Sequence, residues 1–96
     1  MKRLSKKNLR DEKDGSGIYK IYDRNRNLVY IGRSCSGDIK HNLIQHFRSP
    51  SYTGYKAGKR YDNYYDIDLM PKGKIRKRER RMIRRNKPRG NKYRYG

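Results

Sequence analysis

Two reversed tripeptides, Gly17-Ile18-Tyr19 and Tyr30-Ile31-Gly32, set on either side of one polar turn, constrain this chain more than any other feature. Between them run Lys20-Ile21-Tyr22 and Asn27-Leu28-Val29, apolar and β-branched, around Asp23-Arg24-Asn25-Arg26. Two strand-like runs joined by a short polar loop predict an antiparallel hairpin. A four-residue loop makes Tyr19 the direct cross-strand partner of Tyr30, with both rings on one face. A one-residue slip would send them to opposite faces. Two facing phenols with a glycine at each outer end form a small polar platform, open to the backbone of a ligand.

The rest of the chain supplies what a hairpin needs to be covered. Ser34-Cys35-Ser36-Gly37-Asp38 is a helix-start signal, because serine and aspartate oxygens accept the orphan amide hydrogens of a first turn. Apolar residues at 39, 43, 44 and 47 follow with helical spacing, and Ser49-Pro50 closes that helix. Residues 50–61 carry glycine, proline and small residues without a period and predict a loop. Tyr64 to Leu69 alternate as a third strand, with Tyr65, Ile67 and Leu69 on one face. After Pro71-Lys72-Gly73, a last helix carries Ile75, Glu79, Met82 and Ile83 on one stripe and basic residues almost everywhere else; Pro88 and Gly90 end it. The order β-β-α-β-α predicts an α+β fold, a small three-stranded antiparallel sheet flanked by helices. One domain over residues 15–92 is expected, with a basic flexible arm at 1–14 and a tail at 93–96.

Charge narrows the partner. The chain carries a formal +19 over 96 residues. So basic a surface needs a polyanion, and nucleic acid leads because each neutralised phosphate releases counterions. A membrane surface is the rival, yet no segment is apolar enough to insert. A ribosomal-type or architectural binder would look the same by charge alone. One cysteine, Cys35, excludes an internal disulfide, and with only His41 and His46 beside it no zinc site of usual spacing exists. The first residues show neither a secretory nor a transit signal, so a cytoplasmic setting is expected.

Glu79 is the only acid from Pro71 to Gly96, and helical spacing puts it on the inward stripe. A carboxylate there must be paired or must bind a cation, since an unpaired buried charge is expensive. Pairing with Arg76 or Arg80 is one way to satisfy it, a divalent ion another. Taken in order, the tripeptides Gly17-Ile18-Tyr19 and Tyr30-Ile31-Gly32, a helix ending His46-Phe47, then Glu79-x-x-Met82-Ile83, Pro88 and Asn91 resemble the GIY-YIG nuclease family. The resemblance covers Gly17 to Asn91. It implies phosphodiester hydrolysis assisted by one Mg²⁺ (or Mn²⁺), with Glu79 as the metal ligand, landing beside the paired phenols to share the ion and a phosphate, and Asn91 in a supporting polar role. It also implies that Tyr19 helps to deprotonate the attacking water and that Tyr30 holds a phosphate oxygen or the water. His46 would hydrogen-bond a phosphate or help to activate Tyr19.

One family residue is absent. One turn before His46, where the family carries an arginine that clamps the scissile phosphate, this chain has Asn42. Losing one preorganised donor of that kind typically costs ~2.7–4 kcal/mol. Lys40 and His41 point elsewhere on a helix of about 3.6 residues per turn. Arg33, leaving the hairpin beside Tyr30, is the best substitute clamp; Arg48 would need the helix end to bend back. With Asn42 and Asn91, the residues expected to contact nucleic acid are Lys20, Arg48, Lys56, Lys59 and Arg60, the last three on a tyrosine-studded loop able to stack on bases. Two outcomes stay open: a nuclease acting on nucleic acid, with DNA the expected substrate, or a weakened relative that binds without cutting. Either could work as a homodimer or beside a separate targeting protein.

Overall fold

The computed structural model describes residues 1–48 and 63–88. In chain order these form β1 (Lys2–Arg3), α1 (Lys6–Arg10), β2 (Gly17–Tyr22), β3 (Leu28–Ser34), α2 (Ile39–Arg48), β4 (Tyr64–Leu69) and α3 (Lys72–Asn86). The fold is α+β, with one antiparallel sheet in the order β1-β4-β2-β3. The described sheet therefore has four strands where three were expected, and the order opens with an additional β-α pair.

That pair comes from the segment expected to be a flexible arm. Its two leucines explain the correction: Leu4 and Leu9 are each only 1% exposed and sit in the same core as Ile39, Leu43 and Tyr65. The main chain is held as well. Arg3 pairs with Tyr64 and Lys2 with Tyr65, and the Leu4 N–H donates to the Asn63 carbonyl at 2.8 Å. Glu12 then receives Lys2 Nζ at 2.9 Å and the Tyr65 hydroxyl. Two leucines suffice to fold back a run that is otherwise polar, since each buried leucine gains roughly 1.5–3 kcal/mol.

The hairpin differs from expectation in register. Its loop spans Asp23 to Asn27, organised by Asp23 Oδ1, which accepts the N–H groups of Asn25 and Asn27 at 2.9 Å each. Arg26 takes a left-handed conformation (φ 64°). A β-bulge then leaves Val29 unpaired, between the Tyr22–Leu28 and Ile21–Tyr30 pairs. Tyr19 consequently pairs with Gly32 and not with Tyr30. One extra loop residue and one bulge residue add to a shift of two, which preserves the face. Tyr19 and Tyr30 thus remain on the same side, as diagonal neighbours.

Alternation, broken once at the Val29 bulge so that Val29 and Tyr30 share a face, assigns the layers. Tyr19, Ile21, Val29 and Tyr65 turn to one face, against α1 and α2. Ile18 and Ile31 turn to the other, against Ile75 and Ile83 of α3. Gly17 lets β4 approach on β2, because a Cβ there would overlap the Asp68 carbonyl. Helix α2 starts at Ile39 as its serine- and aspartate-rich lead predicts. Its first amides, however, are taken from before β2: Ile39 N–H donates to the Gly15 carbonyl and Lys40 N–H to Asp14 Oδ1, both at 3.2 Å. No described helix is long and apolar enough to cross a membrane.

Candidate active site

Three rings gather where α2 crosses the hairpin. Helical spacing from Ile39 and Leu43 brings His46 round to the sheet, where it is 4% exposed. Its Nε2 shares a hydrogen bond with Tyr19 Oη at 3.0 Å. The imidazole meets the Tyr19 ring nearly edge-on (centroids 5.4 Å apart) and tilts against Tyr30 at 4.9 Å; the two phenol rings are 6.1 Å apart. Tyr19 is buried and Tyr30 half-buried, so the cluster runs from the interior to the surface.

Gly32 makes this possible. It lies opposite Tyr19 in the register, and a methyl group on it would overlap the Tyr19 ring and hydroxyl. The absent side chain lets the phenol lean across β3, the outermost described strand on that side. Burial pushes the His46 pKa down to about 4, because a charged imidazolium in this setting loses its water. At neutral pH the ring is therefore an uncharged partner for Tyr19: it accepts the phenolic proton in one tautomer and donates to the phenolic oxygen in the other.

Glu79 was expected beside the paired phenols and stands instead on the opposite face of the sheet, because α3 packs against Ile18 and Ile31. With Ile75 and Ile83 it forms the buried stripe of α3, and it is 2% exposed. Its Oε1 receives Arg33 Nη1 at 2.6 Å. The cation it meets is thus a strand residue, rather than the helix neighbours Arg76 or Arg80, and the carboxylate holds the Arg33 pKa above its ordinary value. Arg33 was expected to clamp a phosphate beside Tyr30. Three residues along a strand reverse the face, so Arg33 turns to α3 with Ile31 while Tyr30 turns to α2. The strand itself separates the phenols from the Arg33–Glu79 pair. Both flank the same outer strand, and the Tyr19 ring lies over Gly32, the residue next to Arg33.

The remaining expected contacts divide. Asn42 occupies the predicted helix position, and its Nδ2 donates to the Arg33 carbonyl at 3.2 Å, tying α2 to β3. Lys20 lies on the α3 face, opposite Ile31 and Asp66. Lys40 Nζ reaches the Arg10 carbonyl at 3.1 Å and His41 bonds Gln45 at 2.9 Å, so each serves another side of α2. Arg48 is the last residue of α2. Lys56, Lys59, Arg60 and Asn91 lie outside the described residues. Among the described residues, no group of three or more His, Cys, Asp or Glu side chains could hold a metal ion, which leaves Glu79 as a single-carboxylate candidate.

Residue-by-residue reasoning missed the seat that Gly32 makes for Tyr19 and the pairing of Arg33 with Glu79. Strict period-two alternation from Tyr30 carried the signal for the second. The chain was compared with protein-family models and with curated proteins, and nothing matches.

Proposed function

We propose that this protein is a divalent-metal-dependent endonuclease of the GIY-YIG type, hydrolysing phosphodiester bonds of nucleic acid, DNA in the first instance. The observation that carries the proposal is the Tyr19–His46 hydrogen bond at 3.0 Å, with Tyr30 packed against His46. An isolated phenol, with a pKa near ~10, is a poor base at neutral pH. With its proton directed to a neutral imidazole, Tyr19 Oη presents lone pairs to a water molecule. As that water attacks phosphorus, its proton passes to Oη while the phenolic proton moves to Nε2. The positive charge this creates on His46 is offset by the charge gathering on the phosphate. Tyr30, half-buried at the rim, orients the water or a phosphate oxygen by hydrogen bond.

The donor chemistry of Glu79 suits Mg²⁺ or Mn²⁺. Mg²⁺ keeps several waters and is bound through one or two carboxylates plus substrate phosphate oxygens, so one buried carboxylate is enough. Glu79 would hold the ion, with Arg33 yielding or sharing the carboxylate. When bound, such an ion offsets charge on leaving and non-bridging oxygens. A phosphodiester reaching both the phenols and Glu79 has to approach over the outer edge of β3. The single cysteine, half-buried, suits a reducing cytoplasm.

A second reading has its own support. Arg33 already neutralises Glu79 at 2.6 Å, and Asn42 stands where the resemblance calls for an arginine. Both favour a protein that binds nucleic acid and has lost turnover. A nicking assay on supercoiled plasmid separates the two. The endonuclease nicks only with Mg²⁺ or Mn²⁺, Tyr19→Phe slows it by ~10²-fold or more, and Glu79→Gln abolishes nicking while leaving plasmid binding intact. Wild-type protein that binds but never nicks, at any metal concentration, sinks the endonuclease and leaves the binder.

A further inference from the structure

The net charge is lopsided. Thirteen of the 28 basic residues and one of the nine acidic ones fall in residues 72–96, so this stretch carries +12 of the formal +19. Within α3 the single acid is buried and already paired with Arg33. Lys74, Arg76, Lys77, Arg78, Arg80, Arg81, Arg84 and Arg85 are all exposed, and none has an ion-pair partner among the described residues.

Their angular arrangement matters more than their number. At about 100° per residue, Arg76, Arg80 and Arg84 run along one flank of the helix. Lys74, Arg78, Arg81 and Arg85 run along the other, and Lys77 and Arg81 lie nearest the outward direction, about 20° to either side of it. The buried stripe of Ile75, Glu79 and Ile83 lies on the far side, against the sheet. The helix therefore holds two parallel rows of cations, spread over its 15 residues, a length of roughly 22 Å.

We infer that the outer face of α3 docks double-stranded DNA, lying in the major groove with one row of cations on each phosphate backbone. A single strand could follow only one row. The major groove of B-DNA is about 12 Å wide and admits an α-helix, whereas that of duplex RNA is too narrow. The inference rests on nucleic acid being the partner, not on cleavage.

The test is the binding of a labelled 20-base-pair DNA duplex to the full chain in EDTA across a salt series. With about seven phosphates neutralised, log K should fall with log[salt] at a slope near −6. Arg76→Gln/Arg80→Gln/Arg84→Gln should make that slope shallower by about 3, and so should Arg78→Gln/Arg81→Gln/Arg85→Gln. Lys6→Gln/Lys7→Gln/Arg10→Gln removes the same charge from exposed positions on α1 and should move the slope by less than one. Circular dichroism confirms that each variant keeps its helices. The inference is overturned if the α1 variant flattens the slope as much as the α3 variants do. It is equally overturned if single-stranded DNA, duplex RNA or phosphatidylserine vesicles bind as tightly and respond to both rows. Duplex binding with this pattern but without nicking would remove the endonuclease and keep the docking face. Nicking that survives both triple variants with an unchanged salt slope would do the reverse.

Discussion

Tyr19 reaches His46 because residue 32 has no side chain, and His46 is dry because the two phenols cover it. That burial has a consequence for folding that is independent of catalysis. The native imidazole stays neutral down to about pH 4, whereas in the unfolded chain it takes up a proton near pH ~6.5. As pH falls, the unfolded state binds the proton first, so His46 contributes fully to stability above pH ~6.5. That contribution drains away between ~6.5 and about 4, on the order of 3 kcal/mol in total. Urea unfolding at pH 7, 5.5 and 4.5 checks it. The wild-type midpoint should drop more steeply than that of His46→Gln, which has nothing to protonate at that position. Parallel profiles would show that the ring is not shielded by the two tyrosines.

Between elements, the least obvious bond joins the segment before β2 to the start of α2. Asp14 Oδ1 accepts the Lys40 N–H at 3.2 Å while also holding its own neighbour, Gly15 N–H, at 3.0 Å. Helix-capping acceptors are typically worth about 1 kcal/mol. Asp14→Ala should lower stability by about that much, and Asp14→Asn, which keeps the oxygen, should recover most of it; thermal melts of the pair decide the matter. This cap shows why some structure was legible in the sequence and some was not. Both strands of the hairpin, α2, β4 and α3 begin and end near their expected places, because apolar period and Pro or Gly breaks are local signals. The Val29 bulge, and with it the register of Tyr19, depends on how a five-residue loop closes, which alternation alone does not report. The ring cluster was legible because a shift of two residues leaves the face unchanged. The partner of Glu79 was not, since it required following parity from Tyr30 to Arg33 and setting that face against the Ile75–Ile83 stripe.

At the scale of the whole molecule, the first thirteen residues decide what this small domain can lose. They look like a nucleic-acid arm by charge, and two residues forming β1 are too few to show a period. Leu4 and Leu9 nevertheless close the core that α2, Tyr65 and Ile21 share. Truncating a buried leucine to alanine typically costs 2–5 kcal/mol, and a domain of this size has only about 5–15 kcal/mol in total. Leu4→Ala and Leu9→Ala should each depress the thermal midpoint strongly. Deletion of residues 1–13 should leave no cooperative transition, since it removes both leucines, the β1–β4 pairing and the Glu12 acceptor of Tyr65 together. A loss of DNA binding in that deletion would therefore report unfolding rather than a missing contact. A truncated chain that melts cooperatively, within a few degrees of the full-length protein, would mean that the segment lies on the core without supporting it.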